Sequence, residues 1–360
     1  MGKIIIGTSS IPFGEIKKGN WPDCGPYFDR SLAFCQAWLN GEASFQLNTS
    51  GSTGTPKTID ISRRQMEISA AATGKFFDIE PKANLLCCLN TDMIAGKMML
   101  VRGLEWDSII YLQEPSGTPL ADLDGLGTFG FVAMVPAQVE NSLLYSIEKL
   151  KNIQHLIIGG APLSHKLQKE ISQLSCNAYQ TYGMTETVSH IALAKITGLP
   201  PLIYRTLPGV TISTSKDSCL VINAPMANTT LTTNDKVTIP AANTFIWQGR
   251  ADFTINSGGI KIQPEKLEVE IASTMEMHLP GKRYFIAGAP DEKWGQRVVL
   301  VIESAPISTA KREQIESEIA AKVKKHERPK NIYFIENFTE TPSGKIKRIA
   351  SLEQVLDKFI

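Results

Sequence analysis

An α/β fold is predicted for this chain. Up to about residue 250, short apolar runs of strand length alternate with amphipathic helical stretches, the texture of a sheet covered by helices. After Gly249-Arg250-Ala251-Asp252, a unit of about a hundred residues carries its own apolar pattern. The chain therefore reads as two domains, 1–250 and 251–360. At 360 residues, 42% hydrophobic and 20% charged, it is too apolar for disorder and long enough to bury a core without disulfide staples.

The elements follow from local signals. Ser62, with Gln65 three residues on, makes a capping box that opens a helix running to Phe77. Residues 84–90, 129–135 and 155–158 read as buried strands, and 143–150 and 163–174 as helices. The latter helix begins just after Gly159-Gly160-Ala161-Pro162. Short β-like segments at 220–223 and 244–248 close the larger domain. In the smaller one, 284–287, 298–303 and 332–335 are strands. A helix over 311–325 places Ile315, Ile319 and Val323 on one stripe, limited by Pro329.

Charge and cysteine content exclude several classes. Lys and Arg number 37 against 36 Asp and Glu, a net charge of +1, without the basicity of a nucleic-acid coat or polybasic membrane binder. The six cysteines, Cys24, Cys35, Cys87, Cys88, Cys176 and Cys219, form no Cys-x-x-Cys pair, which reads as reduced thiols in a cytoplasmic protein. No apolar run approaches the roughly 20 residues of a membrane span, and the three isoleucines near the start are too few for a signal-peptide core. Neither nucleic acid nor membrane is expected as a partner. A homo-oligomer is left open.

The most unusual stretch is Asn48-Thr49-Ser50-Gly51-Ser52-Thr53-Gly54-Thr55-Pro56-Lys57. Backbone N–H groups and hydroxyls at this density can wrap phosphate oxygens, with Lys57 as a point charge. The spacing is neither a Walker loop nor Gly-x-Gly-x-x-Gly, and a Ser/Thr/Gly connection is the alternative. This loop resembles the phosphate loop of the adenylate-forming enzymes: acyl-CoA synthetases, peptide-synthetase adenylation domains and luciferases. Four more segments resemble that family's motifs, in its order: Tyr182-Gly183-Met184-Thr185-Glu186; Thr233-Asn234-Asp235; the hinge segment Gly249-Arg250-Ala251-Asp252 with Ser257-Gly258-Gly259-Ile260-Lys261; and Pro342-Ser343-Gly344-Lys345-Ile346. Asn234 stands where the family has Gly. A turn there survives if Asn adopts positive φ.

The resemblance implies a large N-terminal domain of α/β layers and a small, mobile α+β C-terminal domain. It also implies two steps: a carboxylic acid attacks the α-phosphorus of ATP to give an acyl-adenylate and pyrophosphate, then CoA displaces AMP. A carboxylate is already ionised at neutral pH, so the task is to bring anions together and stabilise a negative transition state. By the same resemblance, Thr49, Ser50, Gly51, Ser52, Thr53, Gly54 and Lys57 hold ATP phosphates, Thr185 contacts the α-phosphate and Glu186 positions Mg²⁺. Gly159, Gly160, Ala161, Pro162, Tyr182 and Gly183 face adenine. Asp235 and Arg250 clamp the ribose. Asp252 is the hinge, Gly258 and Gly259 line the pantetheine path, and Lys345 is the catalytic cation. Each has a plainer reading: core aromatic for Tyr182, strand–helix turn for Gly159–Pro162, surface charge for the ionic residues.

Within the family, residues 182–190, 134–138 and 257–265 most resemble the o-succinylbenzoate–CoA ligases of menaquinone biosynthesis. This implies an aromatic acid with two carboxylates. Thr187, Ser189, His190 and Gln138 are candidates to face the acid, with packing as the alternative. Many relatives carry aromatic-His-x-x-Gly where this chain has Asn90-Thr91-Asp92-Met93-Ile94-Ala95-Gly96-Lys97, so Lys97 is a candidate cation for the second carboxylate. The rival readings are an aryl- or short-chain acyl-CoA synthetase and a non-enzymatic nucleotide-binding relative. Relatives also carry more chain before the phosphate loop, which implies an abbreviated first subdomain.

Overall fold

The computed structural model describes residues 2–49, 57–121, 123, 125, 127–341 and 346–357, with backbone alone at 47–49, 57 and 58. The chain forms two compact units. The first comprises Met1–Ser213, Ile222–Leu231 and Ile239–Ile246; the second comprises Thr214–Val221, Thr232–Thr238 and Trp247–Ile360.

The first unit opens with hairpin strands β1 (Lys3–Ile6) and β2 (Ser9–Pro12), then α1 (Phe13–Lys18) and α2 (Pro26–Leu39). β3 (Ser44–Thr49) and β4 (Lys57–Ser62) pair antiparallel with Thr49 opposite Lys57. That pairing brings the two backbone ends of the Ser/Thr/Gly loop together; residues 50–56 lie outside the described residues. α3 (Arg63–Phe77) starts at the capping box read from sequence: Gln65 N donates to Ser62 Oγ at 3.3 Å and Ser62 N to Gln65 Oε1 at 3.1 Å. There follow β5 (Asn84–Cys87), α4 (Ile94–Glu105), β6 (Ile109–Leu112), β7 (Phe129–Met134), α5 (Pro136–Tyr145), α6 (Ile147–Lys151), β8 (Ile153–Ile158), α7 (His165–Ile171), β9 (Asn177–Gly183), β10 (His190–Lys195) and β11 (Tyr204–Thr206). β12 (Thr211–Thr214), β13 (Cys219–Asn223), β14 (Leu231–Ala241) and β15 (Thr244–Arg250) complete this stretch of chain.

In the first unit the strands lie in the order β2-β1-β6-β5-β7-β8-β9-β10-β11-β15. From β1 to β9 the pairings are parallel; β9–β10, β10–β11 and β11–β15 are antiparallel. Parallel strands are covered on both faces, so they read as near-continuous apolar runs, as in Phe129–Met134. Leu86, Val132, Met134, Leu156, Ile158 and Leu167 share one core. β5 connects onward to β6 on one side and β7 to β8 on the other. The winding therefore reverses between β5 and β7, the kind of place where open α/β sheets bind ligands.

The second unit continues with β16 (Ile255–Ser257), β17 (Ile260–Ile262), α8 (Pro264–His278), β18 (Tyr284–Asp291), β19 (Gly295–Glu303), α9 (Thr309–Lys322), β20 (Asn331–Ile335) and α10 (Arg348–Leu356). β19 is its spine, antiparallel to β18 and parallel to β20. Its alternation sends Val298, Leu300 and Ile302 into a cluster with Leu267, Ile271 and Ile315, and Val299 and Val301 into another with Phe285, Tyr333 and Leu352. Among the described residues no helix is long and apolar enough to cross a membrane.

Several boundaries differ from the sequence reading. The helix expected over 143–150 begins at Pro136, whose ring presets the first helical residue, and breaks at Ser146 (φ −148°) into α5 and α6. The helix expected over 311–325 stops at Lys322. Val323 turns extended (φ −114°, ψ 156°) and joins Ile315 and Ile319 in the apolar cluster, well before Pro329 acts. The turn expected at Thr233-Asn234-Asp235 is absent. All three residues continue β14, and Asn234 is not among the residues of positive φ.

Candidate active site

β8 and β9 run parallel, with Ile158 opposite Gln180, so their carboxyl ends sit side by side. One carries Gly159-Gly160-Ala161-Pro162 and the other Thr181, Tyr182 and Gly183. Close approach dictates the glycine at 159: a Cβ there would lie 2.4 Å from Thr181 Oγ1. Gly160 turns the chain at φ 89°. Tyr182 is half-buried, edge-on to Phe245 and Tyr204 at 5.0 and 5.8 Å between ring centroids.

Beyond β9 the chain makes a tight reversal. Thr185–Thr187 form one 3₁₀ turn with Glu186 exposed. Thr187 is buried, and its hydroxyl is engaged by the turn itself: Oγ1 accepts from Met184 N at 3.1 Å and lies within 2.9 Å of the Met184 and Ser189 carbonyls. Val188 has φ 66° and ψ −51°, while Ser189 N donates to Thr187 O at 2.7 Å. This is a γ-turn of positive φ, a strained conformation for a β-branched residue, and it re-aims Ser189 and His190. Gly183 faces the reversal. A Cβ there would come within 2.5 Å of Ser189 O and His190 Cα.

Behind that turn lies a buried polar cluster the sequence reading missed. α4 is packed nearly all round, with Gly96 and Met98 through Leu104 buried, so Arg102 has no wet face to reach. It is 2% exposed. Its Nη2 donates to Ser189 Oγ at 3.0 Å and lies 3.5 Å from His190 Nδ1; its Nη1 meets the Met99 sulfur at 3.7 Å. Its Nε finds no partner and no carboxylate pairs with it, among the described residues. Burial pushes the guanidinium down to about 9. Thr73 has one hydroxyl proton, and the Ser69 carbonyl at 2.9 Å takes it. Thr73 Oγ1 therefore accepts from His190 Nε2 at 3.2 Å, leaving Nδ1 bare toward Arg102. Burial first, and then the Arg102 charge, push His190 well below its ordinary value, so the ring is neutral. The signal available in sequence was one charge inside Met98-Met99-Leu100-Val101-Arg102-Gly103-Leu104.

At the β5–β7 switch, Gln138 is buried and tied down. Its Nε2 donates to the Cys88 and Ser116 carbonyls at 3.2 and 2.9 Å, and its Oε1 accepts from Val135 N at 3.1 Å. Lys97 is half-buried, donates to Thr91 O at 2.9 Å and lies 5.5 Å from the Phe34 ring centroid. Desolvation lowers its pKa.

In the second unit, Asp235 Oδ1 accepts from Trp247 Nε1 at 3.0 Å. Arg250 holds Asp252 bidentately at 2.9 and 2.8 Å, and its backbone N donates to Glu265 Oε1 at 3.2 Å. Gly258 and Gly259, at φ 59° and 82°, make the two-residue turn joining β16 to β17. A Cβ on Gly258 would come within 2.5 Å of the Trp294 ring. Lys345 lies outside the described residues, as do the side chains of Thr49 and Lys57.

A family model described as AMP-binding enzyme matches residues 40–224, and one described as AMP-binding enzyme C-terminal domain matches residues 270–345. The 2-succinylbenzoate–CoA ligase of Lactococcus lactis subsp. lactis (strain IL1403) is 26% identical over 363 residues, 95% of this chain and 76% of the relative. A solved structure from Dyadobacter fermentans DSM 18053, an acyl-CoA synthetase (AMP-forming)/AMP-acid ligase II-like protein, is 41% identical with a TM-score of 0.63, covering 94% of this chain and 97% of that one. The o-succinylbenzoate coenzyme A synthetase of Bacillus subtilis, solved in complex with ATP and magnesium ion, is 20% identical with a TM-score of 0.71, covering 85% of this chain and 69% of that one.

Proposed function

Because the chain belongs to the AMP-binding enzyme family, we propose that it is an ATP-dependent acid–CoA ligase, acting on o-succinylbenzoate in menaquinone biosynthesis. The supporting observation is the apposition of Gly159–Pro162 with Tyr182 and Gly183 at the carboxyl ends of two adjacent parallel strands. The family resemblance implies that both segments face one nucleotide, although they are separate in the chain. The relatives named for 2-succinylbenzoate support the choice of acid.

On this reading the carboxylate oxygen bonds to the α-phosphorus of ATP and the bond to pyrophosphate breaks. The CoA sulfur then bonds to the acyl carbon and AMP leaves. Thr185 contacts the α-phosphate from the 3₁₀ turn. The phosphate loop 49–57 holds the β- and γ-phosphates. Asp235 and Arg250 serve the ribose, with Arg250 held in place by Asp252 and Glu265. Glu186 is one exposed carboxylate, and among the described residues no three His, Cys, Asp or Glu side chains gather around a metal. Glu186 would hold Mg²⁺, a hard cation that takes oxygen ligands. When bound it neutralises phosphate charge. Lys345 delivers the cation of the first step, and residues 251–360 act as the lid that carries it over the adenylation domain 1–250.

The decisive measurement is ATP–pyrophosphate exchange across a panel of carboxylic acids, followed by CoA-dependent AMP release. Exchange with o-succinylbenzoate is expected. Strong exchange with benzoates or fatty acids and none with o-succinylbenzoate would overturn the choice of acid, and no AMP with any acid would overturn the ligase reading.

A further inference from the structure

We propose that a cavity in the first unit, walled by Lys75 and Arg205 and floored by Phe76 and Tyr179, is a second ligand site. It takes a planar aromatic acid, apart from the adenylation site and whatever acid that site activates.

The cavity measures about 450 Å³, within the roughly 300–1,000 Å³ of small-molecule sites. All its lining residues belong to the first unit, and none comes from 159–162 or 182–190. Strand alternation separates it further. Tyr179 and Tyr182 lie three residues apart on β9, so they face opposite sides of the sheet. The floor is an aromatic cluster. Phe76 and Tyr179 are half-buried and meet edge-on at 5.9 Å, and Tyr179 meets Phe77 edge-on at 5.2 Å. One rim is fixed by a turn: Val210 N donates to Leu207 O at 3.1 Å, with Pro208 second and Gly209 third at φ 84°, the residue pattern of type II. Asn243 accepts from Thr206 N at 2.9 Å through its backbone carbonyl, and its side-chain amide has no partner among the described residues.

The charge of the cavity selects an acid. Lys75, in the last turn of α3, and Arg205, on β11, come from distant parts of the chain to one cavity. Both are exposed, and among the described residues neither forms an ion pair. One solvated cation on a surface is ordinary. Two unpaired cations over an aromatic floor make a concave, positively charged surface, which concentrates anions. The Arg205 charge reaches the floor: burial raises the Tyr179 pKa, and Arg205 opposes that rise. A ring lying against Phe76 and Tyr179 gains apolar burial, and its acid group is offered the guanidinium, the ammonium and the Asn243 amide as donors. A bare anion forfeits the ring contacts, and a neutral ring forfeits the cations.

The test titrates the full chain with 2-naphthalenesulfonate, a planar acid with no carboxylate to activate, and follows the probe's own fluorescence with ATP and magnesium in excess. Saturable binding to the wild type is expected. Lys75→Gln and Arg205→Gln should each weaken it about 10-fold, the worth of a charge-assisted hydrogen bond partly screened by water. Neutral 2-naphthalenemethanol and inorganic sulfate should each bind about 10-fold more weakly than the sulfonate. Both substituted side chains are exposed, so the variants should melt as the wild type does and keep its pyrophosphate exchange with o-succinylbenzoate. No saturable binding, or equal affinity in the wild type and both Gln variants, would make the cavity a plain surface depression and overturn the proposal. Equal binding of the neutral ring would overturn the acid, and equal binding of sulfate would overturn the ring. Exchange that falls in step with binding would put the probe in the adenylation site and overturn the proposal as well. If no acid supports exchange in any of these proteins, the ligase reading fails separately, and the affinities of the Gln variants still decide the cavity.

Discussion

Gly159 is required by a single distance. Adding a methyl places carbon 2.4 Å from Thr181 Oγ1, so Gly159→Ala should cost about 1–3 kcal/mol in denaturant unfolding, the usual range for overpacking. The near atom belongs to a side chain, so Thr181→Ala in the same chain should recover most of the loss; equal instability of the single and double variants would refute this. His190 yields a prediction of a different kind. Its folded pKa lies well below the value near 6.5 expected when unfolded. The unfolded chain therefore takes up a proton on acidification that the folded chain refuses. The resulting stability is complete above about pH 6.5 and declines as pH falls toward the folded pKa, by up to about 1.4 kcal/mol per pH unit. His190→Gln should flatten that slope between pH 5 and 6.5, as read from denaturation midpoints. A slope equal to the wild type's would assign the effect elsewhere. Of the residues near the turn, Ser189 and His190 were legible in sequence as part of a motif, whereas Arg102 was not. A lone arginine in an apolar run looks the same whether its helix has a wet face or none.

Local signals carried a part of the elements. The box at Ser62 and Gln65 depends on neighbours a few residues away; the Pro136 start is as local a signal, and the reading of 143–150 passed over it. Element ends went astray where a long-range contact outbid a local one, as at Val323, which leaves its helix to fill the apolar cluster. α10 depends on a contact of that long-range sort. Arg348 grips Glu268 of α8 bidentately at 2.7 and 2.8 Å, and Glu268 also accepts from Ile286 N. Burial raises the Glu268 pKa in spite of Arg348, so the pair contributes little against an apolar substitute, yet half of it is costly. Arg348→Met should destabilise the chain by about 3 kcal/mol, while Glu268→Leu with Arg348→Met should cost much less. Additive losses in urea unfolding would refute the coupling.

At the scale of the molecule, the mixed α/β architecture and family membership expected from five ordered motifs are borne out. The lid role proposed for residues 251–360 predicts separable half-reactions. Lys345→Ala should abolish pyrophosphate exchange while leaving thioester formation from preformed acyl-adenylate largely intact, since the role proposed for its cation is in the first step alone. Equal losses in both assays would sink that assignment.

The sequence by itself determined which motifs the chain carries, their order and a part of its strands and helices. Each of these rests on side chains close in the chain, or on an apolar period that one strand or helix imposes. Only the tertiary structure decided the environment of the charges. Arg102 reaches Ser189 across 87 residues, and Thr73 reaches His190 across 117. The energy of a charge depends on how much water and how many partners surround it. Both are properties of the packed interior, and neither is written in the residues beside Arg102.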